Sequence, residues 1–166
     1  LSAFVRAFDQ MVDRHESLRT TFHVVDGELK QKIHDCGGHE VKMDLIDLIE
    51  NPDPIEVAET LARNQATTVF DLAQGPLLKA SIIKVGPEKH VFALTMHHII
   101  SDGWSMNIII HELLTMYNAF KANLAVPLAP LSIQYKDYAA WQRESLQTSG
   151  STNDSKQYWT AKFEGD

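Results

Sequence analysis

The chain has 166 residues, 44% of them hydrophobic and 22% charged, the proportions of one globular domain with a real core. Its formal charge of −7 and its lack of a Lys/Arg cluster exclude a nucleic-acid role, because a phosphate backbone is met by a basic face. A single cysteine, Cys36, excludes an internal disulfide and a cysteine zinc site, which predicts a reducing, cytoplasmic setting, and no stretch nears the roughly 20 apolar residues that span a bilayer.

Leu1, Phe4, Val5, Phe8, Met11 and Val12 recur at helical spacing and predict an amphipathic helix over 2–16. No initiator methionine, basic leader or small-residue cleavage site precedes them, so the chain reads as a fragment of something longer. "LRTTFHVVDGELKQKIH" (18–34) predicts two strands around Asp26-Gly27, a dipeptide that tolerates the positive φ of a tight hairpin. "VKMDLIDL" (41–48) alternates apolar and polar residues, a strand signature. "NPDPIEVAETLARNQATTVF" (51–70) predicts a helix, with Asp53 as N-cap. "GPLLKASIIKV" (75–85) and "HVFALTMHH" (90–98), separated by Gly86-Pro87, predict neighbouring strands of a buried sheet.

Met106, Ile109, Ile110, Leu113, Leu114 and Tyr117 then mark a helix to about residue 122. "ANLAVPLAPLS" (122–132) is a proline-containing loop. "IQYKDYAAWQRESLQ" (133–147) and "SKQYWTAKFEG" (155–165) predict two more helices, split by the polar linker "TSGSTND" (148–154). Central strands with flanking helices give an α/β or α+β fold.

The chemistry concentrates in "TMHHIISDGWS" (95–105). Two histidines, an aspartate and a glycine at a chain turn are compatible with proton chemistry, a metal site or a buried brace. Neighbours on a strand point to opposite faces, so His97 and His98 must do different jobs: one faces a cleft, the other is buried and hydrogen-bonded. A neutral imidazole can accept a proton from an amine or hydroxyl during acyl transfer. Asp102 is placed to orient a ring or pair with an arginine. Gly103 removes a side chain where backbone passes close to something, such as a substrate arm. Metal ligation would need a third ligand from elsewhere, and no Gly-x-Ser-x-Gly elbow supports a serine hydrolase. Trp104 reads as a packing anchor or a tunnel-lining residue. Tyr135, Tyr138 and Trp141 sit at helical spacing and read as core. His15, His23, His34, His39, His90 and His111 have no partner pattern.

"MHHIISDGWS" (96–105) is flanked at long range by "RHESLRTTF" (14–22) and "YKDYAAWQ" (135–142). In this order the three resemble core motifs of the condensation domains of nonribosomal peptide synthetases, over almost the whole chain. The resemblance implies a chloramphenicol acetyltransferase-like lobe with a central mixed β-sheet flanked by helices. It implies an N-terminal lobe spanning 1–166, without the family's first strand and without the C-terminal lobe that completes the tunnel. The implied reaction is peptide-bond formation. The amine of an aminoacyl thioester on a downstream carrier protein attacks an acyl or peptidyl thioester on an upstream one. Both groups ride on 4′-phosphopantetheine arms, and the lobe itself binds no cofactor or metal.

Carried over by position, His98 is the base or the group that positions the amine, and His97 is structural. Asp102 would hold the loop through a salt bridge to an arginine, Arg19 or Arg14, with Arg19 favoured. Gly103 would lie beside the tunnel, and Trp104 and Ser105 are candidates for its lining. The implied partners are the C-terminal lobe, the two carriers and an adjacent adenylation domain; nucleic acid and membrane are excluded. The intact His-His doublet departs from the aspartate pattern of heterocyclising relatives, and "SDGWSMNIII" is similar to domains that join two L-residues. Two other readings remain: a stand-alone acyltransferase of the same superfamily, and a non-catalytic module that docks carriers.

Overall fold

The computed structural model describes residues 1–37, 41–148 and 151–164. The chain divides into two compact units, Leu1–Pro130 and Leu131–Asp166. The first opens with α1 (Ser2–Arg14), whose apolar stripe buries Ala7, Phe8, Met11 and Val12. A 3-10 turn (Glu16–Arg19) leads into β1 (Thr20–Val25), which pairs antiparallel with β2 (Glu28–Ile33). Asp26 and Gly27 both take positive φ, 54° and 78°, the geometry that matches a two-residue turn to the twist of its strands. The hairpin joins the body through Phe22, whose N–H donates to the Leu72 carbonyl at 2.8 Å.

A separate mixed sheet has the order β3-β4-β5. β3 (Met43–Asp47) and β4 (Leu78–Lys84) are parallel, so a crossover must join them, and α2 (Pro54–Ala66) supplies it. Asp53 caps α2 by accepting from the Glu56 N–H at 3.2 Å. The buried Gln65 fixes α2 on the sheet: its amide donates to the Lys79 and Ala93 carbonyls at 3.0 and 3.1 Å, and its oxygen accepts from the Ser81 hydroxyl at 2.5 Å. β4 then pairs antiparallel with β5 (His90–Met96).

After β5 comes α3 (Gly103–Lys121). Ile109, Leu113 and Met116 on its inner face join the α1 stripe, Leu18, Leu77, Leu78 and Ala80 in one core. That core anchors both ends of the segment between β5 and α3.

The second unit holds α4 (Tyr135–Thr148) and α5 (Ser151–Phe163). Ser151 to residue 154, read as linker from the sequence, are helical, while residues 149–150 lie outside the described residues. Tyr135, Tyr138 and Trp141, read as core, are exposed. Their rings lie against one another along α4, with centroids 5.9 and 5.7 Å apart. The i, i+3 spacing places them on one stripe, but spacing alone does not say what covers it.

Candidate functional site

The sequence places the doublet at the end of a strand; the structure ends β5 at Met96, two residues earlier. His97 still extends the ladder, its N–H donating to the Leu77 carbonyl at 2.9 Å. The chain then turns back on itself. The His97 carbonyl accepts from the Ile100 N–H at 3.1 Å and from the Ser101 hydroxyl at 3.3 Å. Ile100, buried in the main core, plugs the turn onto the body of the first unit.

The two imidazoles separate through a turn rather than strand alternation. His97 is half-buried, with the Phe70 ring edge-on at 6.1 Å and Nδ1 accepting from the Ile99 N–H at 3.0 Å. His98 is exposed. Its Nδ1 donates to the Ser101 carbonyl at 3.2 Å, and Nε2 has no partner among the described residues.

Asp102 is the N-cap of α3. Its carboxylate accepts from the Ser105 N–H and hydroxyl, each at 2.8 Å, and the Ser105 hydroxyl accepts from the Asp102 N–H at 2.7 Å. This reciprocal box satisfies two donors that a helix start would leave orphaned. The backbone N–H of Ser105, then its hydroxyl, hold the Asp102 carboxyl below the usual carboxylate range.

Three expectations change here. The pairing of Asp102 with Arg19 is not formed. Arg19 donates to the His34 carbonyl and lies 4.0 Å from Glu16, while Asp102 is occupied by Ser105. Arg14 does form an ion pair, but with Glu112 on α3. Trp104 is no packing anchor: it is 78% exposed. At Gly103 an added Cβ would meet nothing within 4 Å, so no close approach inside this chain requires glycine there.

Sequence reasoning missed Glu112. Arg14 Nε and His15 Nε2 donate to the same carboxylate oxygen at 3.0 and 2.6 Å, tying the end of α1 to the middle of α3. Burial pushes the Glu112 carboxyl up, but the hydrogen bonds from His15 and Arg14, with their charges, outweigh it and hold it low. A signal was present: Glu112 falls on the same helical stripe as Ile109, Leu113 and Met116, where an acid is rarely buried without a partner. No group of three His, Cys, Asp or Glu among the described residues is placed to hold a metal ion, and no described helix is long and apolar enough to cross a membrane.

The Condensation domain family model matches residues 1–166. The chain belongs to the condensation domain family. It is 41% identical over 160 residues to tyrocidine synthase 3 of Brevibacillus parabrevis, covering 96% of this chain and 2% of that protein. It is 41% identical over 161 residues to malpibaldin synthetase of Mortierella alpina, covering 96% of this chain and 3% of that protein. The chain thus spans a small fraction of the length of these relatives. Among solved structures it is similar to the starter condensation domain of rhizomide synthetase, with a TM-score of 0.84 and 24% identity over 98% of this chain and 40% of that one. It is also similar to the X-domain from teicoplanin biosynthesis, with a TM-score of 0.77 and 28% identity over 95% of this chain and 34% of that one. The first of these likenesses carries the fold, of chloramphenicol acetyltransferase type with a mixed sheet and flanking helices.

Proposed function

We propose that this chain is the N-terminal lobe of a condensation domain that forms peptide bonds in nonribosomal peptide synthesis, and that His98 is its catalytic imidazole. The observation that carries the reading is the division of labour in the doublet. His97 is tied into the sheet end, whereas His98 sits exposed on a turn braced by its own backbone. A reacting group must reach its substrate and still be held in place, and only His98 meets both conditions.

The amine nitrogen of a carrier-bound aminoacyl group attacks the carbonyl carbon of the upstream thioester. The tetrahedral intermediate collapses with cleavage of the carbon–sulfur bond. The proton lost by nitrogen ends on the departing thiol, and His98 manages that transfer. An α-amino group has a pKa near 8, so a proton must be removed or controlled at neutral pH. A thioester is already activated, and one imidazole contributes about 10²–10⁴ in rate. Asp102 and Ser105 serve by fixing the start of α3 beneath the turn. Gly103 leaves open space at the start of α3, room for a substrate arm, and exposed Trp104 is available to line it.

The partners under this reading are a C-terminal lobe that closes the tunnel, upstream and downstream carriers bearing 4′-phosphopantetheine thioesters, and an adjacent adenylation domain. The likeness to a domain of which this chain covers 40% supports the single-lobe assignment. The test uses the intact condensation domain with defined donor and acceptor thioesters on carriers. His98→Ala should lower single-turnover product formation by about 10²–10⁴ with unchanged thermal melting. Full turnover by that variant would remove His98 from the mechanism. Transfer to a free alcohol, with none to a carrier-bound amine, would identify a stand-alone acyltransferase instead.

A further inference from the structure

The turn between β5 and α3 also decides which nitrogen does the chemistry. We infer that this turn fixes His97 and His98 in opposite tautomers, and that Ser101 is the positioning residue through which the second is held for the chemistry. The last part rests on the function proposed above; the tautomers do not.

A neutral imidazole carries one N–H, and its partners reveal where. A backbone N–H can only donate. The Ile99 N–H lies 3.0 Å from His97 Nδ1, so that nitrogen holds a lone pair and the His97 proton is on Nε2. A carbonyl oxygen can only accept. The Ser101 carbonyl lies 3.2 Å from His98 Nδ1, so that nitrogen carries the proton and the lone pair is on Nε2. The doublet therefore offers one free lone pair. His97 has spent its own on the backbone and presents only a donor, while His98 presents a bare Nε2 on an exposed ring.

Ser101 acts twice in this arrangement. Its carbonyl holds the His98 ring, and its hydroxyl donates to the His97 carbonyl at 3.3 Å, beside the Ile100 N–H on the same acceptor. The hydroxyl thus closes the turn that aims the carbonyl. In the step itself, Nε2 takes the proton as nitrogen bonds to the thioester carbon, and the imidazolium is stabilised by the Nδ1–H already directed at Ser101. Return of that proton to the leaving sulfur restores the starting tautomer.

The experiment uses the intact condensation domain with nitrogen-15 histidine, at a pH well above the ordinary histidine value of about 6.5. Nitrogen NMR distinguishes protonated from bare ring nitrogens, and spectra of His97→Gln and His98→Gln assign the two rings. The inference expects a protonated Nε2 on His97 and a protonated Nδ1 on His98; the same tautomer on both rings, or a protonated Nε2 on His98, overturns it. Ser101→Ala should reduce kcat about fivefold, the worth of one hydrogen bond, with KM for both carriers unchanged and the His98 signals shifted toward a tautomer mixture. Ser101→Thr should restore both. Unchanged kcat and unchanged His98 signals in Ser101→Ala would remove Ser101 from the positioning role. Full turnover by His98→Ala would overturn the proton transfer to Nε2 even with both tautomers as assigned. Wrong tautomers with an inactive His98→Ala would overturn this inference and leave the proposed function standing.

Discussion

The two regions of α3 that carry polar chemistry are held in opposite ways. At its start, Asp102, Ser105, Ser101 and the two histidines bond within four residues of one another. Ten residues on, Glu112 is held by Arg14 and His15, 98 and 97 positions away. The local cluster shapes an exposed turn and adds little to the fold. The distant one joins two helices through a nearly buried carboxylate and shapes nothing that a substrate could reach. Under the proposed function, catalysis and stability are therefore carried by different polar groups along and just before one helix, and the two should separate under mutation.

The largest effect tests the exposed end. His98→Ala removes a ring whose one hydrogen bond among the described residues is to a local carbonyl, so activity should fall by about 10²–10⁴ while melting stays put. A matching loss of stability would show that the turn is part of the core brace. The reverse pattern belongs to Glu112→Gln. Removing its charge takes away the carboxylate that Arg14 and His15 share, at a site where the Arg14 and Glu112 side chains are 16% and 10% exposed. A fully buried pair broken this way costs about 3–5 kcal/mol; with some solvent present we expect about 2 kcal/mol, or a melting temperature lower by about 4–8 °C in a domain of this size. Turnover per folded molecule should change little. Because the Glu112 carboxyl is held low in the fold, its contribution is complete above the unfolded value of about 4.3 and is lost as pH falls through the folded value. The variant should lack that part of the acid transition, which denaturant melts across roughly pH 3–6 would reveal.

The same distinction explains what could be read from the sequence. The Asp26-Gly27 hairpin, the Asp53 cap and the separation of His97 from His98 are local, set by φ preferences and hydrogen bonds a few residues long. The Asp102–Arg19 pairing failed for a related reason. A serine three residues after an aspartate, at the first turn of a helix, competes for its carboxylate at no chain-closure cost, and a distant guanidinium does not. Glu112 escaped because its partners lie on another helix, and one sequence does not state which faces meet. The α4 aromatics escaped for the complementary reason: periodicity marks an apolar stripe without naming what buries it.

The smallest predicted effect sharpens the comparison most, because it concerns a charged residue at the exposed end, where the proposed chemistry lies. Asp102→Ala deletes the acceptor for two Ser105 donors and should lower the melting temperature, by less than Glu112→Gln, since the cap is exposed and water replaces part of what is lost. Asp102→Asn keeps a side-chain oxygen for the Ser105 N–H and should recover most of that loss. The folded carboxyl lies below its ordinary value, so its stabilisation is complete above about pH 4 and is lost as pH falls through the folded value. Against the wild type, the Asp102→Asn difference should therefore shrink on acidification and be constant at neutral pH. An Asp102→Ala variant that melts like the wild type, yet loses turnover, would show that the carboxylate acts on the chemistry directly and that the start of α3 needs no cap. If stability and turnover instead fall together and Asp102→Asn restores both, the cap is what holds the His98 turn over the helix, and local bonds alone suffice to build the site.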